Sequence, residues 1–358
     1  MNRHRALIYG LVFALLAALV YLQFRQWRTF DWAKFIENSR GVTWRHVIHG
    51  IVLVYLAYIL RAIRWKIFLR PSRKDASSIA LIPPTLVGFT GLALLGRPGE
   101  LIRPYLIAKR VNLSFSSQLA VWAVERIFDI AAFTLLMIGG IFLPTKLRAF
   151  AAARPEVFRW LHLAGYSLSA LVVAMLAGAL LVNYQGPAIA DWVEQRFAHH
   201  ARNLGHRLAQ RVREFASGLN TIHGFGSLVQ LAAVSVLMWW LIALSYKEVT
   251  HAYGAPMHDM SVTRVLLLMG SSMAGSMVQL PGVGGGSQLA TIEAMDKIFN
   301  IPRELAVSCG ILLWLVTFVA VVPVGLLLTR TERLSLLKVA EQSQQEEANA
   351  ELFKPSAP

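Results

Sequence analysis

The chain has 358 residues, of which 56% are hydrophobic and only 15% are charged, and its mean hydropathy is +0.51. This composition excludes an ordinary soluble protein and leaves no room for a sizeable domain outside a membrane. The net charge of +15 favours contact with anionic phospholipid headgroups and disfavours nucleic acid, because the basic residues form no soluble module.

Apolar runs close to the ~20 residues needed to cross a bilayer recur along the chain. They predict an all-α polytopic membrane protein with about six full spans. The first run follows a basic tripeptide and lacks a small-residue cleavage site, so it predicts a retained helix rather than a signal peptide. The predicted spans are 6–23, 45–62, 117–143, 161–183, 228–250 and 304–329.

Two further apolar units, 77–112 and 263–299, are interrupted by proline and glycine. Broken helices are tolerated at membrane depth only where they are buried in protein or line a cavity, and one in each half is typical of a transporter-like site. Two interpretations stay open. Each unit is a re-entrant helical hairpin, or residues 77–96 and 263–280 cross the membrane fully and the glycine motifs are ordinary loops.

The distribution of lysine and arginine predicts that both termini are cytoplasmic, together with the densest basic segment, residues 61–76. If the broken units are hairpins, each half of the chain contains two spans, then a hairpin, then a third span. The first hairpin then opens from the cytoplasm and the second from outside. This order predicts a 4+4 inverted-topology repeat, with halves at about residues 5–183 and 184–330, which suits alternating access to a midplane site.

Residues 1–330 are thus predicted to form one transmembrane domain. Within it, residues 190–220 place apolar side chains at intervals of mostly three or four, with arginines on the other face. The pattern favours a basic amphipathic helix on the cytoplasmic leaflet, and a solvated connector helix is the alternative. Residues 331–358 predict a cytoplasmic tail that begins as a helix and frays into disorder.

Three charged residues, Arg97, Glu100 and Arg103, directly follow the first apolar run of unit 77–112. A charge deep in a bilayer costs on the order of 3 kcal/mol, so such residues normally face partners or water. Glu100 is expected to pair with Arg103 and to set the geometry of the site. The planar guanidinium groups of Arg97 and Arg103 are expected to bind a lipid phosphate, so Arg97, Gly99, Glu100 and Arg103 are candidate substrate-binding residues. Gly99 would let backbone N–H groups approach the anion. The alternative is a surface turn with snorkelling arginines.

A second charged group, Glu125, Arg126 and Asp129, interrupts a predicted span. Glu125 and Asp129 are one helical turn apart and share a face. We expect one of these carboxylates to pair with an arginine of the first hairpin and lock the site. Arg61 and Arg64 are assigned to the same ion-pair or gating group. The alternative is an interfacial ion network that anchors a helix end.

The second broken unit contains a glycine-rich interruption that precedes a predicted helix over 288–298. A helix N-terminus at the midplane would attract a phosphate or carboxylate, and a plain flexible loop is the alternative. The segment is not a nucleotide-binding P-loop, because no Lys-Ser or Lys-Thr follows. Its candidate substrate-binding residues are Pro281, Gly282, Gly284, Gly285, Gly286 and Gln288.

Other kinds of site are not predicted. The histidines, including His46 and His49, have no partners at convincing metal-ligand spacing, and no hydrolase nucleophile motif is present. The sequence therefore predicts no metal, no cofactor and no enzyme active site. Trp65 and Trp239 lie near the ends of predicted spans and are interpreted as interfacial anchors.

Four motifs carry a resemblance to a known family. They are Arg61-x-x-Arg64-Trp65, Gly96-Arg97-Pro98-Gly99-Glu100-x-x-Arg103-Pro104, Glu125-Arg126-x-x-Asp129 and Pro281-Gly-Val-Gly-Gly-Gly. The series resembles the lysylphosphatidylglycerol synthase transmembrane-region family, or flippase-like domain family, which includes the flippase half of the bacterial multiple peptide resistance factor. The resemblance implies a bacterial inner-membrane domain that moves an anionic or aminoacylated phospholipid, or a related polyprenyl-linked lipid or glycolipid, between leaflets.

Two departures from the family pattern matter. The bifunctional relatives continue into a soluble aminoacyltransferase domain, whereas only residues 331–358 follow the last predicted span here, so we expect no aminoacyl transfer. Gln288 stands where the family often has an acidic residue, which argues against a charge-based role for the second hairpin.

The expected function is lipid translocation, of the flippase or scramblase kind. One alternative is an ion-coupled secondary transporter of a small anion, with Glu100, Glu125 or Asp129 as the proton carrier. Another is a non-transporting membrane partner of a lipid-modifying or glycosyltransferase enzyme.

Overall fold

The structure is a computed structural model that describes residues 30–142, 225–276 and 285–331, with scattered helical positions between 159 and 213. Several predictions fall outside these residues: the first span, most of the fourth span, the C-terminal tail and most of the amphipathic segment. Pro281, Gly282 and Gly284 also lie outside the described residues.

The three continuous ranges are helical, and no strand occurs in them. A 3-10 turn covers Arg97–Leu101, and π-helical turns cover Ala294–Ile298 and Leu315–Val319. The α-helices of these ranges are α1 (Trp32–Arg40), α2 (Trp44–Leu69), α3 (Ser78–Leu95), α4 (Ile102–Val111), α5 (Phe115–Phe142), α6 (Phe225–His251), α7 (Val262–Gly275), α8 (Gly286–Glu293), α9 (Arg303–Trp314) and α10 (Val322–Thr331).

Within the described residues, four helical segments are long and apolar enough to cross a membrane: α2, α3, α6, and the run from α9 into α10 over Arg303–Arg330. Helix α5 is 28 residues long, which is about 42 Å at 1.5 Å per residue, but it carries three ionisable residues near its middle. The predicted all-α membrane class is therefore confirmed, while the number of spans and the repeat stay predictions.

Helices α2 and α6 form an antiparallel pair at the centre of the fold. At one end the Thr43 backbone N–H donates to the carbonyl of Ala252 at 2.8 Å. At the other end Arg70 donates to Gln230 at 2.6 Å. Between them Ser245 donates to the carbonyl of Gly50 at 2.9 Å, because glycine lets the two helices approach closely. We call the end that contains Arg70 the basic end.

Helices α3 and α4 form the first hairpin, which runs antiparallel. Gly96, with a φ of 69°, reverses the chain before the 3-10 turn. The 3-10 turn touches α3 through backbone, since a Cβ on Gly99 would lie 2.2 Å from the carbonyl oxygen of Gly91. At the open end of the hairpin, Arg73 donates to the carbonyl of Asn112 at 3.5 Å. Both ends of this unit therefore lie at the basic end.

Helices α7 and α8 form the second hairpin, which again has a glycine with positive φ and a close backbone contact at a glycine. Gly285, with a φ of 77°, precedes α8, and a Cβ on Gly275 would lie 2.2 Å from the carbonyl oxygen of Gly286. At the open end Arg303 of α9 pairs with Glu293 at 3.0 Å. Because α7 follows α6 after a short loop, this hairpin begins at the end opposite the basic end.

The two hairpins thus enter the α2–α6 pair from opposite ends, which is the arrangement that an inverted repeat requires. The equivalence of the two halves of the chain stays a prediction. One boundary is wrong: α2 continues to Leu69, so Arg61 and Arg64 are buried inside a helix and are not part of a cytoplasmic segment. Their charges do not end the helix because they are bonded to neighbouring helices.

Candidate functional site

A cluster of buried charges joins α2, α4 and α5. Helix α2 supplies Arg61 and Arg64 three residues apart, and α5 supplies Glu125 and Asp129 four residues apart, so each pair occupies one helix face. Helix α4 adds Arg103. Glu125 and Asp129 lie about 15 and 21 Å along α5 from its first residue, near the middle of the helix. All five residues are at most 8% exposed.

Arg64, like Glu125, has no exposed surface. One terminal nitrogen donates to Asp129 Oδ1 at 2.7 Å and to Ser235 Oγ of α6 at 2.9 Å. The other donates to Glu125 Oε1 at 2.5 Å. Three helices are therefore joined by one guanidinium, whose planar fork can bond several acceptors at once.

Arg103 binds both oxygens of Glu125, with Nη1 3.1 Å from Oε1 and Nη2 in closer contact with Oε2. The pairing expected between a carboxylate of this span and an arginine of the first hairpin is therefore present, and its gating role stays a prediction. The expected Glu100–Arg103 pair is wrong, because the guanidinium turns towards α5. It also lies over the ring of Trp65, 4.5 Å from the centroid.

Asp129 is surrounded by donors. Trp239 Nε1 donates to Oδ1 at 3.1 Å, and terminal nitrogens of Arg126 and Arg61 lie 3.0 and 3.8 Å from Oδ2. Among the described residues, Nε and Nη1 of Arg61 are buried without a hydrogen-bond partner. Arg61 instead packs over Phe89 at 4.8 Å.

The cluster carries excess positive charge within the part of the chain that the structure describes. With the adjoining Arg126 counted, four arginines face two carboxylates, which leaves a formal charge of +2, or +1 when Glu100 at the rim is included. Isolated charge is costly away from water, so such an excess favours an anionic ligand.

A cleft of about 320 Å³, which includes space open to the surroundings, adjoins this charge. It lies between the first hairpin and α5. Arg126 is 35% exposed and half-buried Glu100 lines the same cleft, so both can reach a ligand. Arg97 is exposed on the hairpin turn and is not among the lining residues, whereas Gly99 is buried against α3. The lining residues are Gly88, Phe89, Leu92, Glu100, Arg103, Trp122 and Arg126.

A second cleft with polar lining lies beside the second hairpin, and its volume of about 190 Å³ includes space open to the surroundings. Gln288 lines it near the start of α8, just after Gly285 and Gly286. Its other polar lining side chains come from α6, α7, α8 and the π-helical turn after α9; they are Tyr246, Ser272, Ser287, Thr291 and Thr317. Gln288 therefore lines a different cavity from Glu100 and Arg103.

The sequence interpretation missed the aromatic and hydroxyl residues of the cluster. Trp65 is 1% exposed and Trp239 is half-buried and bonded to Asp129, so the interpretation of both as interfacial anchors is wrong. The available signals were weak: Trp65 follows Arg64 directly, and Ser235 and Trp239 are four residues apart in an apolar helix.

A search among curated proteins found no match to this chain, and a search among solved structures also found none. The family described as Lysylphosphatidylglycerol synthase TM region matches residues 7–325, which includes all four motifs and the buried charge cluster. With most of its length matched, the chain belongs to the family of lysylphosphatidylglycerol synthase transmembrane regions.

Proposed function

We propose that this protein moves a phosphate-bearing lipid, an anionic phospholipid or a related lipid-linked molecule, between membrane leaflets. The observation that carries the proposal is the excess of arginine in the buried cluster beside an open cleft. A phosphate can neutralise that excess and accept paired N–H groups from a guanidinium. Family membership supports a lipid-related membrane function.

Within the cleft, Arg126 is the residue best placed to bind the phosphate. Its side chain is partly exposed, and its Nε is buried without a hydrogen-bond partner among the described residues. Arg103 and Arg64 hold Glu125 in place, and Asp129 pairs with Arg126 at 3.0 Å. The acyl chains remain in the bilayer while the headgroup occupies the cleft.

The basic end faces the cytoplasm of a bacterial inner membrane in this proposal. The described residues there include six basic residues and one acidic residue, whereas acidic and basic residues alternate at the opposite end. The basic residues would also contact anionic headgroups. Because the hairpins enter from opposite ends, each would control access to the substrate from one side of the membrane, as in alternating access. The residues of the basic end are Lys66, Arg70, Arg73, Lys74, Asp75, Lys109 and Arg110.

The protein acts as a translocator and not as an enzyme in this proposal, without nucleotide or nucleic acid, and a lipid-modifying enzyme is a candidate partner. Proton coupling through Glu125 or Asp129 is disfavoured, because arginine contacts stabilise both carboxylates in their charged form.

The proposal predicts that Arg126→Gln slows leaflet exchange of labelled phosphatidylglycerol in proteoliposomes at least about tenfold, since a hydrogen bond to a charged group contributes about 1.5–3 kcal/mol. Exposed Arg40 of α1 provides the matched control, Arg40→Gln, which should exchange lipid at the wild-type rate. A lipid analogue without a phosphate should move no faster than in empty liposomes. Equal exchange by the Arg126 variant and the wild type would refute the assignment.

Gln288→Leu tests the second cavity. The change keeps the side-chain volume about the same and removes the amide. The loss of one neutral hydrogen bond, worth ~1 kcal/mol, should slow lipid exchange several-fold. The unfolding temperature should stay unchanged. Leu289→Gln is the control, because that neighbour is 51% exposed and does not line the cavity. An unaltered rate in Gln288→Leu would remove this cavity from the transport path.

A further inference from the structure

Four histidines and one glutamate converge at the end of the α2–α6 pair opposite the basic end. His46 and His49 lie in the first turns of α2, while Glu248 and His251 lie in the last turns of α6. His258 follows in the loop that leads to α7, with its ring 4.7 Å from that of His251. The glutamate is 202 positions from His46, so local sequence spacing gives no sign of this group.

The ligand atoms of three of these residues already point at a common region. His46 Nδ1 is 2.7 Å from Glu248 Oε2, and His49 Nδ1 is 3.5 Å from the same oxygen. One ligand atom from each of these three residues lies within 4.8 Å of the others. The side chains of His46 and Glu248 are 28% exposed and that of His49 is 50% exposed, so an ion can reach them from water.

We propose that His46, His49 and Glu248 bind a Zn²⁺-class divalent metal ion. Two neutral imidazoles and a carboxylate match the ligands that zinc prefers, at about 2.0–2.2 Å from the ion. Neighbouring ligand atoms of such a tetrahedron are about 3.3 Å apart, so His46 and Glu248 need only separate slightly to admit the ion. His251 or His258 supplies the fourth ligand, since their rings lie 6.2 and 6.5 Å from that of His46.

The backbone around the cluster suits a cation. Glu248 and His251 lie at the C-terminus of α6, where the helix dipole and the last carbonyl groups favour positive charge. The hydrogen bond from Thr43 to Ala252 already fixes the start of α2 to this loop. A bound ion would therefore join α2 and α6 where the chain enters the second hairpin, and would brace that hairpin at its base.

This inference does not depend on the proposed lipid transport. The test uses the full chain, purified in detergent with a tag free of histidine and stripped with a chelator, and titrates it with ZnCl₂ against a fluorescent zinc indicator. We expect one equivalent to bind with a dissociation constant in the micromolar range or tighter, and zinc to raise the unfolding temperature.

Matched variants separate this site from adventitious binding. The double variant His46→Ala/His49→Ala should lose the equivalent of zinc and the thermal shift, whereas His199→Ala/His200→Ala, a histidine pair elsewhere in the chain, should retain both. If the double variant does not fold, Glu248→Gln, which keeps the shape of the side chain, should weaken zinc binding at least tenfold. Absence of a one-equivalent phase, or equal binding by all variants as for an adventitious ion only, would overturn the proposal.

Discussion

Glu125→Ala is expected to lower the free energy of unfolding by about 3–5 kcal/mol and to abolish lipid exchange, the largest effect of any single substitution in the charge cluster. Glu125 has no exposed surface and accepts hydrogen bonds from both Arg64 and Arg103. Its removal takes away the carboxylate that Arg103 binds and leaves Arg64 with Asp129 as its remaining carboxylate partner. Thermal unfolding in detergent, followed by circular dichroism, measures the loss.

The control for this prediction is Glu37→Ala, because Glu37 is exposed on α1 and should unfold within about 0.5 kcal/mol of the wild type. The double variant Glu125→Gln/Arg103→Met should recover part of the lost stability, since Arg64 keeps Asp129 as its partner. A Glu125→Ala protein that unfolds at the wild-type temperature would show that the cluster does not hold α2, α4 and α5 together.

The second large effect is expected from adding a single methyl group to either hairpin. A Cβ on Gly99 would lie 2.2 Å from the carbonyl oxygen of Gly91 and 2.5 Å from the backbone nitrogen of Leu92. A Cβ on Gly275 would meet the carbonyl oxygen of Gly286 at 2.2 Å. Backbone atoms cannot rotate away, so Gly99→Ala and Gly275→Ala should each cost about 1–3 kcal/mol or more and open the hairpin.

Gly226→Ala is the matched control, because nothing lies within 4 Å of the Cβ position in α6 and alanine favours a helix. Unfolding temperature and lipid exchange are measured on all three variants. If Gly99→Ala and Gly275→Ala behave as Gly226→Ala does, the close helix contacts are not needed for the fold or for transport.

The helices themselves were largely predictable from the sequence, because apolar runs of spanning length have few other stable structures in a membrane. The segment predicted as helical over 117–143 is α5, at Phe115–Phe142, and the segment over 228–250 is α6, at Phe225–His251. The broken units were also predictable as interruptions, since proline and glycine at membrane depth require a special backbone. Gly96 and Gly285 provide that backbone with positive φ.

Contacts between distant residues could not be predicted in the same way. The sequence indicates that Glu125 and Asp129 share a face, but Arg64 is 61 positions from Glu125 and 171 from Ser235, and no periodicity links them. The helix end predicted at residue 62 is wrong for this reason, because partners on other helices decide whether an arginine ends a span or lies inside it. The pairing of Glu100 is wrong for the same reason.

The bonds of Arg64 restrict how the molecule can change shape. Sliding α2 against α5 would separate a guanidinium from two carboxylates in a medium that cannot solvate them, so α2, α5 and α6 should move as one rigid frame. The first hairpin is tied to this frame through Arg103. The second hairpin meets α5 through Gly270 against Phe133, Leu266 against Gly140 and one hydrogen bond from Thr263 to the carbonyl of Gly140. These contacts are weaker than the buried ion pairs of Arg103 and separate at a lower cost. A transport cycle in this chain would therefore be asymmetric: the second hairpin would move relative to the frame of α2, α5 and α6, while the first hairpin would stay attached to it.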